Sequence, residues 1–293
     1  MAINYHTLKN WAFPEVEQAY TEKESCYYAL GVGYGSDPMD ERQLRFVYEK
    51  DMLALPSMAV VLCHPGFWLQ NPAIGVDSVK LVHGEQAVTL HRPLAPAARL
   101  IGRIRNTALA DKGEGRGAVL LNERKLFDAT SGDLVATLEH TYFLRGDGGF
   151  SQLVGNGPAG GDVIPGVKWE APRTAPEICD LPTLPQAALL YRWSADLNPL
   201  HADPAVARAA GFPRPILHGL CTFGIAAHAL LRTCCNYDPA RLVRLAARFT
   251  APVYPGETIR TEIWREGREV RFRARSVERD IVVLNNGSGT LAF

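Results

Sequence analysis

A dense set of glycines near the middle of the chain, Gly146, Gly148, Gly149, Gly155, Gly157, Gly160 and Gly161, limits what this sequence can build more than any other feature. Glycine at that density punctuates secondary structure rather than sustaining it. The segment continues through Pro172, Pro176, Pro182 and Pro185, which favour an extended crossing. The chain therefore divides into residues 1–145, a Gly/Pro-rich linker over 146–183, and residues 184–293. The two flanks share an order of features. Pro93-Leu94-Ala95-Pro96 and Pro252-Val253-Tyr254-Pro255 have the same proline spacing ahead of β-rich segments. Each flank offers one apolar helix candidate, Ser57 to Trp68 in the first and Gly219 to Cys234 in the second. Alternating strand candidates follow: Val119 to Phe127 and Leu134 to Phe143, then Glu257 to Trp264, Glu269 to Val277 and Ile281 to Asn285. A helix laid on a set of strands is an α+β arrangement, in which the helix buries its apolar stripe against the sheet.

Length and charge narrow the function classes. A chain of 293 residues has ample sequence to bury a core. Its 31 basic and 31 acidic residues balance, so no net field draws it to nucleic acid. No apolar run approaches the roughly 20 residues that span a bilayer, and the N-terminus lacks the basic-then-apolar order of a secretory signal. No membrane partner is expected. Leu291-Ala292-Phe293 is not a Ser-Lys-Leu type peroxisomal signal, so the expected compartment is the cytoplasm. The cysteines, Cys26, Cys63, Cys179, Cys221, Cys234 and Cys235, lack CxxC spacing and read as reduced packing residues. Eight histidines invite a metal reading, but neither HExxH nor paired Cys/His ligand spacing occurs, and no metal is assigned.

The segment Ser194-Ala195-Asp196-Leu197-Asn198-Pro199-Leu200-His201 carries the chemistry. A residue before proline is pushed out of the helical region, so the backbone between Asp196 and His201 should be extended or turned. A carboxylate and an imidazole can then converge on one water, take a proton from it and return a proton elsewhere. A turn-capping aspartate beside an ordinary loop histidine would show the same spacing. The flanks favour chemistry: Asp203-Pro204 reads as an N-cap followed by proline at the first helical position, and Gly211 stands where that short helix should stop.

Tyr191-Arg192 through His201, Gly211-Phe212 and Pro215-Ile216-Leu217-His218-Gly219-Leu220-Cys221-Thr222-Phe223-Gly224 together resemble the hydratase 2 signature of MaoC-like (R)-specific enoyl-CoA hydratases. Ala247-Arg248-Phe249 with Pro252 to Gly256 looks like the next element of that family. Upstream, Tyr28 to Gly33, Phe46-Val47-Tyr48-Glu49 and Val82-His83-Gly84-Glu85-Gln86 resemble the N-terminal half of its two-part members. The likeness covers nearly the whole chain. One departure is Ala195, where the usual pattern has glycine before the aspartate; alanine restricts positive φ and adds a methyl.

The resemblance implies a double hot dog fold, two antiparallel sheets each wrapping a central helix, with one active site because only the second half carries Asp-x-Asn-Pro-x-His. It implies reversible, cofactor-independent hydration of a trans-2-enoyl-CoA to a (3R)-3-hydroxyacyl-CoA. Asp196 and His201 would hold the water, the Gly219 amide would stabilise the thioester oxygen, and Glu49 would be a further important acid. The free N–H groups of a helix start suit the task given to Gly219. His83, Gly84, Lys112, Asn198 and Phe249 would contact the acyl-CoA substrate, Lys112 as a point charge for a phosphate. A homodimer is expected. Two rivals stand beside this reading: a hot dog thioesterase, which would release free CoA, and an acyl-CoA-binding subunit without turnover.

Overall fold

The computed structural model describes residues 3–166, 169–194 and 196–292; Ala195 and Phe293 lie outside them. Among the described residues ten strands form one antiparallel sheet. The first five are β1 (Val16–Tyr20), β2 (Leu81–Leu90), β3 (Ala98–Asp111), β4 (Ala118–Asp128) and β5 (Leu134–Leu144). The second five are β6 (Glu177–Pro182), β7 (Leu242–Phe249), β8 (Thr258–Glu266), β9 (Glu269–Ser276) and β10 (Ile281–Leu291). Their spatial order is β1-β3-β4-β5-β2-β7-β10-β9-β8-β6. Read inward from either edge, the first half runs 1-3-4-5-2 and the second 6-8-9-10-7, which is the same winding twice. The two proline pairs fall in equivalent loops, β2–β3 and β7–β8.

The halves join through β2 and β7, in register from Glu85↔Arg248 to Thr89↔Arg244. Ala87 faces Ala246 and Val88 faces Leu245 across this seam, and Arg248 Nε donates to Glu85 Oε1 at 2.6 Å. Instead of two separate sheets there is a continuous one, because the edge strand of each half completes its backbone hydrogen bonds on the other.

Among the described residues six α-helices flank the sheet: α1 (Tyr5–Lys9), α2 (Glu22–Gly31), α3 (Glu41–Leu44), α4 (Ala187–Tyr191), α5 (Pro204–Ala209) and α6 (Gly219–Cys234). The span of α6 is the one expected from sequence. Twelve of its 16 residues are buried, so it is a central helix rather than a surface one. Gly224 lets α2 approach it closely: a Cβ there would stand 2.6 Å from Val32 Cγ1 and 2.9 Å from the Tyr28 hydroxyl.

The first half has no counterpart of that length. Ser57 to Trp68 was expected to be helical, but only a 3-10 segment, Pro56–Val61, forms. Cys63 adopts φ +50°, the left-handed region, and Pro65 follows, so the helical hydrogen bonds cannot continue. The N-terminal half instead carries α2, which opens with a capping box between Thr21 and Glu24.

The expected linker over 146–183 contains ordered structure at both ends. Asp162 accepts hydrogen bonds from the Tyr5 hydroxyl at 2.7 Å and from Leu109 N at 2.8 Å, tying the glycine segment back onto the first half. At its other end β6 pairs with β8, burying Cys179 and Leu181 while their neighbours stay exposed. That period of two is short and is flanked by prolines, which hid it. No helix among the described residues is long and apolar enough to cross a membrane.

Candidate active site

Local hydrogen bonds set the shape of the loop from Asp196 to His201. Asp196 Oδ1 accepts from Asn198 N at 2.9 Å, and Asn198 Oδ1 accepts from Leu200 N at 3.0 Å, capping the 3-10 turn Pro199–His201. Asp203 then caps α5 by accepting from Ala205 N at 2.7 Å, with Pro204 first in the helix and Gly211 beyond its end at φ +86°. Asn198 therefore spends its carboxamide oxygen on the loop, leaving its NH2 as the part able to reach a ligand.

This loop brings Asp196 Oδ2 to 4.0 Å from His201 Nε2. His201 Nδ1 lies 2.8 Å from Ile216 O; a carbonyl can only accept, which assigns the proton to Nδ1 and leaves a lone pair on Nε2. Burial pushes the His201 pKa below its ordinary value, against the opposing pull of the Ile216 carbonyl and Asp196. The imidazole is thus neutral and faces the carboxylate acceptor to acceptor. Their spacing is too long for a direct bond and suits a water that donates one proton to each.

His218 is the residue that sequence reasoning passed over. Its Nε2 lies 3.0 Å from the Asp196 carbonyl oxygen, to which it donates, and its ring stacks on His201 with centroids 3.7 Å apart. Burial, then the neighbouring His201, pushes its pKa down to about 3. It is a positioning residue that ties the Asp196 backbone to the start of α6. Its place just before Gly219 was the available signal. Asp196, His201 and His218 present ligand-type atoms within 4.8 Å of one another. Bonds of 2.0–2.1 Å to a tetrahedral ion would bring such atoms to about 3.4 Å, so the 4.0 Å pair spacing matches a bridging water better than a shared metal.

Gly219 opens α6 and is exposed, whereas His218 before it and Cys221 after Leu220 are buried. The first N–H groups of a helix have no acceptor inside it and carry its positive dipole end. A Cβ on Gly219 would stand 3.2 Å from two carbons of the Phe249 ring, so glycine keeps that start open beside the aromatic. Phe249 in turn meets His83, centroids 5.1 Å apart. His83 Nε2 lies 3.0 Å from Glu85 O; burial pushes its pKa down to about 4, with Asp196 pulling the other way. Gly219, Phe249 and His83 thus form a continuous wall beside the Asp196–His201 pair.

Of the remaining expected site residues, Gly84 adjoins His83 in β2, and Glu49 and Lys112 do not join that wall. Gly84 is explained by packing: a Cβ would lie 2.1 Å from the Phe143 ring. Glu49 is exposed in the loop after α3 and makes no hydrogen bond among the described residues, contrary to the partial burial its apolar neighbours suggested. Lys112 is exposed at the β3–β4 turn: Leu109 is level with His83 three strand spacings away, about 14 Å across the sheet, and Lys112 lies three residues, about 10 Å, beyond Leu109. It has no ion-pair partner among the described residues. All six cysteines are free.

Comparison with known proteins shows which family the whole chain resembles. Residues 168–286 match the MaoC like domain, and residues 18–146 match the MFE-2 hydratase 2 N-terminal domain. The peroxisomal enoyl-CoA hydratase 2 of Arabidopsis thaliana is 39% identical over 283 residues, spanning 92% of this chain and 90% of that protein. The crystal structure of a MaoC-like dehydratase from Phytophthora capsici superposes with a TM-score of 0.84 at 30% identity, covering 99% of this chain and 98% of that one. A Mycobacterium tuberculosis protein described as having a double hotdog fold superposes at 0.55 and 17% identity, over 97% of this chain and 95% of that one, a likeness of fold alone.

Proposed function

This chain belongs to the MaoC-like hydratase 2 family, and from that premise we propose that it catalyses the reversible hydration of a trans-2-enoyl-CoA to a (3R)-3-hydroxyacyl-CoA in fatty-acid metabolism. The observation that carries the reading is the pair of lone-pair acceptors, Asp196 Oδ2 and His201 Nε2, held 4.0 Å apart beside the exposed start of α6.

A water between the two donates a hydrogen bond to each and turns its oxygen toward C3 of the enoyl group; one of its two O–H bonds breaks in the step. As the C3–O bond forms, electrons of the double bond move to the thioester oxygen, where the Gly219 N–H and the helix dipole stabilise the enolate. Asp196 is the main acceptor of the water proton, with His201 orienting the water and sharing the transfer. The pair returns one proton to C2, so water adds across the double bond and both residues end as they began. Dehydration is the reverse.

No cofactor enters this scheme. Phe249 and His83 line the path of the acyl group into the first half, and Lys112 offers a charge to a CoA phosphate. A homodimer acting in the cytoplasm completes the reading; sedimentation and localisation of the tagged chain test those two points. The activity is tested on the purified full chain with an enoyl-CoA. Loss of the conjugated-enoyl absorbance with the thioester intact, and a 3R product on chiral analysis, is expected. Release of free CoA, or binding without turnover, would overturn it.

A further inference from the structure

The inner face of the first-half sheet is not the uniformly apolar wall that a plain fatty chain would need. Two apolar clusters lie on it. One contains Val60, Leu126 and Leu138, and the other contains Leu8, Leu109, Leu120 and Leu144. Between them runs a polar strip in strand register: Asn106 faces Asn122, Asn122 faces His140, and His140 faces Gln86. Arg124 is the next residue on that face of β4. All five side chains are buried.

Part of this strip is satisfied within the protein. Asn106 donates to Leu8 O at 2.6 Å and Asn122 to Asn106 Oδ1 at 2.9 Å, while Gln86 donates to Ala87 O at 2.7 Å. Arg124 donates through Nη2 to Val60 O at 2.6 Å and through Nη1 to Cys63 O at 3.4 Å. Those bonds hold the short 3-10 segment to the sheet, but they leave the charge of Arg124 without a carboxylate partner among the described residues. Arg124 Nε, Gln86 Oε1 and both ring nitrogens of His140 have no hydrogen-bond partner among the described residues. A buried cation and unpaired polar groups are costly when nothing answers them, and a fatty chain answers none of them.

The strip is continuous with the active site. The Phe249 ring that borders Gly219 meets His83 at 5.1 Å, and His83 meets His140 at 5.5 Å. Burial and the Arg124 charge both keep His140 below its ordinary pKa, as expected beside an uncompensated cation.

We propose that the Arg124–His140 strip is a recognition site for a carboxylate carried on the acyl chain, so that enoyl-CoA thioesters with an acidic distal group are preferred over plain fatty ones. The guanidinium supplies the compensating charge and His140 an N–H donor. The inference rests on the hydration reading for the direction in which the acyl chain runs.

Three enoyl-CoA thioesters of equal chain length, ending in carboxylate, hydroxyl or methyl, test it by kcat/KM. The carboxylate substrate is expected to exceed the methyl one at least tenfold. Arg124→Met should abolish that preference without lowering turnover of the methyl substrate. Because Arg124 also anchors Val60 and Cys63, His140→Phe is the second variant; it breaks no side-chain hydrogen bond among the described residues and should reduce the same preference. Equal kcat/KM for all three substrates, or a hydroxyl substrate that wins, would overturn the proposal. Calorimetric binding of the saturated carboxyl- and methyl-ended acyl-CoAs separates the two readings. Selective binding without hydration would refute the activity and keep the site, whereas hydration without selectivity would refute the site and keep the activity.

Discussion

Asp196→Asn separates the two acceptors of the water site while preserving its shape. In the native geometry Asp196 Oδ2 lies 4.0 Å from His201 Nε2. Two unit charges at that distance interact by about 4 kcal/mol at an effective dielectric of 20 and by about 1 kcal/mol in bulk water. The Asp196 side chain keeps 39% of its exposure and His201 only 9%, which puts the pair between these limits and toward the screened end. A value of about 1.5 kcal/mol corresponds to about one pKa unit. His201 is already below its ordinary pKa because it is buried, and Asp196 opposes that shift. Removing the carboxylate charge withdraws support from the imidazolium, so the His201 pKa falls further. Turnover needs an unprotonated Nε2, so the acid limb of kcat/KM should move about one unit lower in pH. The plateau should fall at least about 100-fold, as for the loss of a general acid–base group. Both features come from one pH titration of the wild type and the variant, followed by loss of enoyl absorbance. An acid limb that stays in place or moves upward would refute the electrostatic coupling, and an unchanged plateau would remove Asp196 from the mechanism.

Stability should also fall in acid. Burial lowers the folded-state pKa of His218 to about 3 and of His228 to about 4, so below the unfolded value of about 6.5 the unfolded chain binds more protons. The stabilisation is complete above that value and declines toward the folded pKa, by about 2 kcal/mol for each residue at about pH 5. A urea midpoint that does not fall between about pH 7 and about pH 5 would contradict this. Gly219→Ala places a Cβ 3.2 Å from the Phe249 ring and should reduce kcat about 100-fold through displacement of the donor, with secondary structure retained by circular dichroism; wild-type kcat would show that this helix start is not the oxyanion donor. Residues 184–293 expressed alone expose the β7 edge at Leu245 and Ala246 and should aggregate or lack activity. A soluble, fully active fragment would show that the first half is dispensable.

Much of the second half is legible in the sequence because its determinants are local. Asn198-Pro199 and Asp203-Pro204 shape the loop through backbone restrictions and caps acting over two or three residues, and α6 spans the expected Gly219–Cys234. Alternation likewise located β4, β5, β8 and β9 to within a few residues and the start of β10, which runs on to Leu291 beyond the expected Asn285. The tertiary structure decided what depends on distant partners. The left-handed Cys63 ended a helix that the apolar pattern of residues 57–68 favoured, and the exposed setting of Glu49 removed the burial its neighbours suggested. His218 reaches Asp196 across 22 positions, and the β2–β7 seam merges two halves into one sheet. The polar strip exists only because strand register aligns Asn106, Asn122, His140 and Gln86 from four separate strands. Backbone preferences act through neighbouring atoms and can be read along the chain, whereas the meeting of side chains depends on register and burial that no single segment encodes.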